Sequence, residues 1–276
     1  MFIFVRKLIL CSNSKGDAAC DQPIGGGRGD LFAGGIPWII NDGWGPGGLS
    51  GHTRDMTSIE RVGFFHFGSD RKDDPVGSLE AKIAECAAHQ TGNSLMVLPE
   101  AFNVRGGFYA TDPALDLDAF SRLQALSVRH GITFVAGIID RLGGSNLACL
   151  IDGNCPPVVL SRKQAGGRDC LYTPSSGDHT IAALLAGIGI TALVCDDAGY
   201  AARAEADRAR AARNVLCVPA YMTITDSAAI ANLWADSITV ILANGCASYP
   251  SVIRHEGREY RSTRYRLKNE IALCDL

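Results

Sequence analysis

The chain has 276 residues, 47% hydrophobic and 20% charged, with a formal net charge of −3, which suits one large α/β domain or two small ones with a sizeable core. That balance excludes a disordered polyelectrolyte. With 26 Lys and Arg against 29 Asp and Glu and no long basic run, no nucleic-acid partner is expected. No stretch reaches the roughly 18 apolar residues of a spanning helix, so no membrane partner is expected either.

Residues 1–56 hold 12 of the 31 glycines and show neither helical nor strand periodicity, so they read as a Gly-rich, irregular and disordered extension, with the domain proper at 57–276. The apolar opening run is interrupted by Arg6 and Lys7 and offers Leu10 where a cleavage site wants a small residue, so it does not read as an export signal. Arg28-Gly29-Asp30 is too short a match to carry information. From about residue 58 the pattern becomes regular. Strands are expected at 61–67, 94–98, 132–139, 146–151, 158–162, 188–194, 215–219, 238–243 and 269–276, and helices at 75–89, 116–130, 200–213 and 228–236. Strands alternating with helices make an α/β fold. No helix fits between Ile139 and Lys163, so hairpins and a mixed sheet are expected there.

Ten cysteines include no CxxC pair, and the chain is too long to need a disulfide framework, so they read as mostly buried free thiols of a reducing, cytoplasmic compartment. His66, His89, His130, His179 and His255 form neither HxH nor HExxH, so no metal is expected. No GxGxxG follows a strand and no GxSxG elbow occurs, which leaves no dinucleotide cofactor and no serine-hydrolase motif.

Three polar residues close apolar strands: Glu100 after SLMVLP, Lys163 after VVLSR, and Cys195 after ITALV. Strand carboxyl ends form the ligand crevice of open α/β sheets. A thiol there can attack a carbonyl or nitrile carbon, a carboxylate can take its proton and an ammonium can hold an oxyanion. Each feature alone is also an ordinary structural one: a buried Cys, a loop-capping Glu, a snorkelling Lys. A Cys–His hydrolase using Cys195 with His179 or His255 is a further reading of the same thiol.

The segments Leu98-Pro99-Glu100-Ala101-Phe102, Ser161-Arg162-Lys163 and 189–197 (GITALVCDD) resemble, in order and spacing, the motifs of the carbon–nitrogen hydrolase (nitrilase/amidase) superfamily. The resemblance covers roughly 58–276. It implies a four-layer α-β-β-α sandwich with mixed sheets, usually a homodimer or larger homo-oligomer. It also implies no cofactor and a Cys-Glu-Lys hydrolysis of a small-molecule amide through a thioester, releasing ammonia or an amine. Glu100 would be the general base, Lys163 the oxyanion holder and Cys195 the nucleophile. Asp140, in place of the more usual Glu, would orient Lys163 or the substrate; Asn146, Asp196 and Tyr221 are supporting or substrate-binding candidates. Ala243-Asn244-Gly245 and Ser251-Val252-Ile253 resemble two later motifs. Asp196-Asp197-Ala198-Gly199 stands where an aromatic-led run is usual, and the Trp-Glu pair of true nitrilases is missing, which favours amide over nitrile. Nitrile or N-carbamoyl hydrolysis on the same triad, and a degenerate member acting as an interaction protein, are the alternatives.

Overall fold

A computed structural model describes residues 10–11, 58–69, 73–86, 93–107, 113–140, 144–153, 155–164, 172, 175, 182–199, 214–222, 238–262 and 268–276. In chain order its elements are Leu10–Cys11 (β1), Arg61–His66 (β2), Pro75–Cys86 (α1), Ser94–Leu98 (β3), Val104–Arg105 (β4), Ala114–Leu115 (β5), Ala119–His130 (α2) and Ile132–Ile139 (β6). They continue with Asn146–Ile151 (β7), Val158–Arg162 (β8), Ala182–Leu185 (β9), Ile188–Ala192 (β10), Asn214–Ala220 (β11) and Thr239–Asn244 (β12). Val252–His255 (β13), Arg258–Arg261 (β14) and Glu270–Asp275 (β15) complete the set. Apart from β1, the expected extension 1–56 lies outside the described residues, as do the helices expected at 200–213 and 228–236.

Two mixed sheets carry the fold. One has six strands in the order β15-β2-β3-β6-β7-β8, the other seven in the order β1-β9-β10-β11-β12-β13-β14. In the first, β2, β3 and β6 run parallel, and β6-β7-β8 are joined as the expected antiparallel hairpins. In the second, β10, β11 and β12 run parallel. The parallel strands are short, nearly continuous apolar runs, as strands covered on both faces must be. Val62, Phe64, Leu95, Val97 and Val135 of one sheet share a buried cluster with Ile190, Val215, Cys217, Val240 and Leu242 of the other. Each such side chain contributes about 1.5–3 kcal/mol on leaving water.

Helices α1 and α2 cover the six-stranded sheet with Val76, Leu79 and Ile83, and with Leu123 and Leu126. Pro75 opens α1 where a missing N–H costs nothing, and Asp74 Oδ1 accepts the N–H of Gly77 at 3.0 Å. Helix α2 starts at Ala119, later than the expected Asp116, because the Asp116 carboxylate is engaged elsewhere. It is buried and accepts the Asp118 N–H at 3.1 Å and Arg105 and Arg122 at 3.1 Å each. Gly131, at φ +66°, ends α2 in the left-handed region. Strands β9, β13 and β14 were not expected from periodicity. Each belongs to a two-residue hairpin whose turn has positive φ at both positions: Ala186 (+50°) with Gly187 (+81°), and Glu256 (+48°) with Gly257 (+74°). Only the second residue of each turn is the glycine that advertises it.

Candidate active site

The carboxyl ends of β3, β10, β11 and β12 converge, and the backbone there is tied across elements. Glu100 N–H donates to Ala220 O at 3.3 Å, Cys195 N–H to Pro219 O at 2.9 Å and Gly245 N–H to Ala220 O at 2.8 Å. Gly137 of β6 donates to Pro99 O (3.2 Å) and accepts from Phe102 N–H (2.7 Å). A Cβ on Gly137 would stand 2.5 Å from Glu100 Cα and 3.0 Å from Pro219 Cβ, so only glycine allows this approach. Ala101, immediately after Glu100, holds φ +53°, a left-handed conformation that costs a non-glycine residue about 1–2 kcal/mol.

Lys163 Nζ and Glu100 Oε1 lie 2.6 Å apart, with side-chain exposures of 5% and 1%. Asn146 Nδ2 donates to the same carboxylate oxygen at 2.6 Å. The Lys163 ammonium also stands 5.3 Å from the centroid of the Tyr172 ring, within cation–π range. Burial works to discharge Lys163, but the Glu100 carboxylate outweighs it and holds the lysine well above its ordinary pKa. The hairpin β7–β8 brings these groups together: Lys163 N–H donates to Asn146 O at 2.8 Å, one step beyond the Leu147–Arg162 pair.

Cys195 is 3% exposed and adopts φ +52°, again the left-handed region in a residue other than glycine. Asp197 and Ala198 donate their N–H groups to Val194 O and Cys195 O at 3.1 Å each, closing a turn around it. Asp197 Oδ2 accepts the Gln164 N–H at 2.9 Å, which ties the segment after Lys163 to the segment after Cys195. Burial and then the Glu100 charge push the Cys195 thiol well above its ordinary pKa; Lys163 and the backbone N–H of Tyr221 pull the other way. The carboxylate and the ammonium thus act on the sulfur in opposite directions.

Of the other residues singled out from the sequence, Asp196 is exposed, with Oδ1 3.9 Å from Cys195 Sγ. Tyr221 contributes its backbone N–H to the sulfur, a role side-chain reasoning does not anticipate. Asp140 sits in the β6–β7 turn, bonded through its backbone to Ser145 O (2.8 Å) and Gly144 N–H (3.0 Å). His179 lies outside the described residues. His255 pairs with Thr239 Oγ1 at 2.8 Å, at the start of β12. The carboxyl end of that six-residue strand is the end near Cys195, about 16 Å away at 3.3 Å per residue. The geometry thus corrects a Cys195–His255 pairing. Among the described residues no group of three or more His, Cys, Asp or Glu is placed to hold a metal ion. Cys86, Cys149, Cys155, Cys195, Cys217, Cys246 and Cys274 are all free thiols. No described helix is long and apolar enough to cross a membrane.

A buried thiol, carboxylate and ammonium gathered at strand ends can form and break an acyl–sulfur bond. The family model described as carbon–nitrogen hydrolase matches residues 70–243. No curated protein matches the chain. Among solved structures, an amidase from Nesterenkonia sp. matches with a TM-score of 0.60 at 20% identity, over 80% of this chain and 91% of that one. A mutant of the amidase from Nesterenkonia sp. AN1 in complex with butyramide matches with a TM-score of 0.60 at 19% identity, over 80% and 92%. Another mutant of it, with the acetamide moiety of fluoroacetamide covalently added at the active-site cysteine, matches with a TM-score of 0.59 at 19% identity, over 83% and 93%. At such identities the likeness speaks for the fold, the α-β-β-α sandwich of the nitrilase superfamily.

Proposed function

Because the chain belongs to the carbon–nitrogen hydrolase family, we propose that it hydrolyses a small carboxamide with Cys195 as nucleophile, Glu100 as general base and acid, and Lys163 as oxyanion holder. The observation that carries this reading is the buried 2.6 Å Lys163–Glu100 pair at the strand ends where the backbones of Glu100 and buried Cys195 are tied to the neighbouring carbonyls of Ala220 and Pro219. A buried ion pair is weak evidence for stability, and three such groups at strand ends are what acyl transfer requires.

Attack and proton transfer are coupled. The Cys195 Sγ–H proton passes to Glu100 as the sulfur–carbon bond forms at the amide carbonyl. The carbonyl oxygen becomes an oxyanion, held by Lys163 Nζ and by the backbone N–H at Asp196. Collapse of the tetrahedral intermediate breaks the C–N bond, and the departing nitrogen takes the proton from Glu100. A thioester on Cys195 remains. Glu100 then deprotonates a water that attacks the thioester; the carboxylic acid leaves and the proton returns to sulfur. Asn146 holds one carboxylate oxygen of Glu100 in place throughout.

The test is ammonia release from a panel of small amides, nitriles and N-carbamoyl amino acids, with wild type beside Cys195→Ala and with residues 1–56 present and absent. Amide turnover that disappears in Cys195→Ala is the expected result. Turnover of only nitriles or carbamoyl compounds would transfer the same triad to another substrate, and no release from any compound would point to a degenerate member.

A further inference from the structure

The motifs around Asn244 and Ser251 find no place in the chemistry above, yet their side chains are among the most buried polar groups of the molecule. Asn244, Ser251 and His66 are each 0% exposed. Asn244 Oδ1 accepts the backbone N–H groups of Met222 (2.9 Å) and Cys246 (3.1 Å). Its Nδ2 donates to Met222 O at 3.3 Å and Tyr249 O at 3.5 Å. Its own N–H donates to Ser251 Oγ at 2.8 Å, and that hydroxyl is 2.9 Å from His66 Nδ1 on the neighbouring sheet. The Ser251 N–H in turn donates to Ser262 Oγ at 3.1 Å. A side-chain amide can accept two N–H groups at one end and donate to two carbonyls at the other, and in so buried a place losing either end is costly.

The clamped residue, Met222, ends a four-residue segment on which the proposed machinery rests. Pro219 O accepts the Cys195 N–H, and Ala220 O accepts the N–H groups of Glu100 and Gly245. Ala220 is paired in the ladder with Asn244 itself. The backbones of nucleophile and base therefore hang from neighbouring carbonyls of one short segment, fixed at its far end by Asn244.

We propose that Asn244 is a positioning residue: by clamping 219–222 it sets the distance and angle between Cys195 and Glu100. The inference rests on the Cys195–Glu100 reading above. Ser251 and His66 form the buried support beneath the clamp. The expected consequence of loosening it is lower turnover at nearly unchanged substrate affinity, because the backbones of Cys195 and Glu100 hang from this segment.

The experiment compares wild type, Asn244→Ala and Ser251→Ala by amide kinetics and by chloroacetamide labelling read cysteine by cysteine in a mass spectrometer. For Asn244→Ala the expected result is a kcat lowered about a hundredfold, KM within about threefold, and Cys195 labelling slowed in parallel. Exposed Cys155 should label at the wild-type rate and buried Cys149 and Cys217 should stay unlabelled. Ser251→Ala should lower kcat about fivefold to tenfold with the same pattern. A kcat within threefold of wild type in folded Asn244→Ala overturns the proposal. So does labelling that spreads to Cys149 and Cys217, the sign of general loosening. Should Asn244→Ala fail to fold, Ser251→Ala decides, and a kcat within twofold of wild type overturns the proposal. A wild type with neither amide turnover nor selective Cys195 labelling would instead remove the mechanism on which the inference rests.

Discussion

Cys217 and Cys195 belong to adjacent parts of the same sheet, and both are buried. Cys217 lies within β11, paired with Ala192 and Ile241, and its neighbours are those of the apolar core between the sheets. Burial alone pushes its thiol well above the ordinary value. Cys195 lies just past the end of β10, where burial is joined by Glu100, Lys163 and Asp196. Both thiols are pushed upward, so neither burial nor pKa direction separates them. What separates them is company: the proposed base and cation act on Cys195, and only burial acts on Cys217.

The sharpest way to break the contrast is to remove each thiol in turn. Cys195→Ala should lower kcat by about ten-thousandfold or more. Cys217→Ala should leave kcat unchanged and cost about 1 kcal/mol in urea denaturation, a small core truncation; activity lost in Cys217→Ala would erase the distinction. Glu100→Gln removes the base while preserving shape, and kcat should fall about a thousandfold. A Glu100→Gln variant within tenfold of wild type would mean that another group takes the thiol proton. Lys163→Met leaves the Glu100 carboxylate buried without its cation, which should cost about 3–5 kcal/mol in denaturant unfolding in addition to the loss of turnover.

Gly137→Ala tests the closeness of the two regions, since its Cβ would press on Glu100 Cα and Pro219 Cβ. A loss of about 1–3 kcal/mol is expected, with a fall in kcat measured on the folded fraction. The smallest effect concerns pH. Cys149, Cys195 and Cys217 all have folded-state pKa values raised above the ordinary thiol value of 9.0. The unfolded chain therefore loses these protons first, and their stabilising contribution, complete below pH 9, declines as the pH rises. Each fully buried thiol removes at most about 1.4 kcal/mol per pH unit above that point. Thermal melts between pH 8 and 11 should show the decline, and Cys217→Ala should lessen its slope. Lys163, also raised, joins the decline only above its ordinary value of 10.5.

Much of this molecule was legible in the amino-acid order. The apolar runs 94–98, 132–139, 146–151 and 158–162 became β3, β6, β7 and β8 with the expected ends. For β3, β6 and β7 that regularity follows from burial on both faces, which leaves no room for another pattern; β8, at the sheet edge, is only partly buried. Strand ends also marked Glu100, Lys163 and Cys195, because a polar residue that closes an apolar run stands out locally. Strands β9, β13 and β14 did not stand out: they are short, partly exposed, and joined by turns whose first residue, Ala186 or Glu256, gives no sign of a left-handed backbone.

Residue type and local period thus determined the α/β class and most of the strands, and they marked three candidate side chains at strand ends. Only the tertiary structure decided that Asn146 shares a carboxylate oxygen with Lys163 and that Asp140 sits in a hairpin turn. It alone decided that His255 lies beside the start of β12, and that Asn244 is linked to the backbones of Cys195 and Glu100 through 219–222. Such facts depend on register between strands distant in the chain and on hydrogen bonds to backbone atoms. Every residue carries the same backbone donor and acceptor (proline lacks only the donor), so residue identity does not encode where those bonds go.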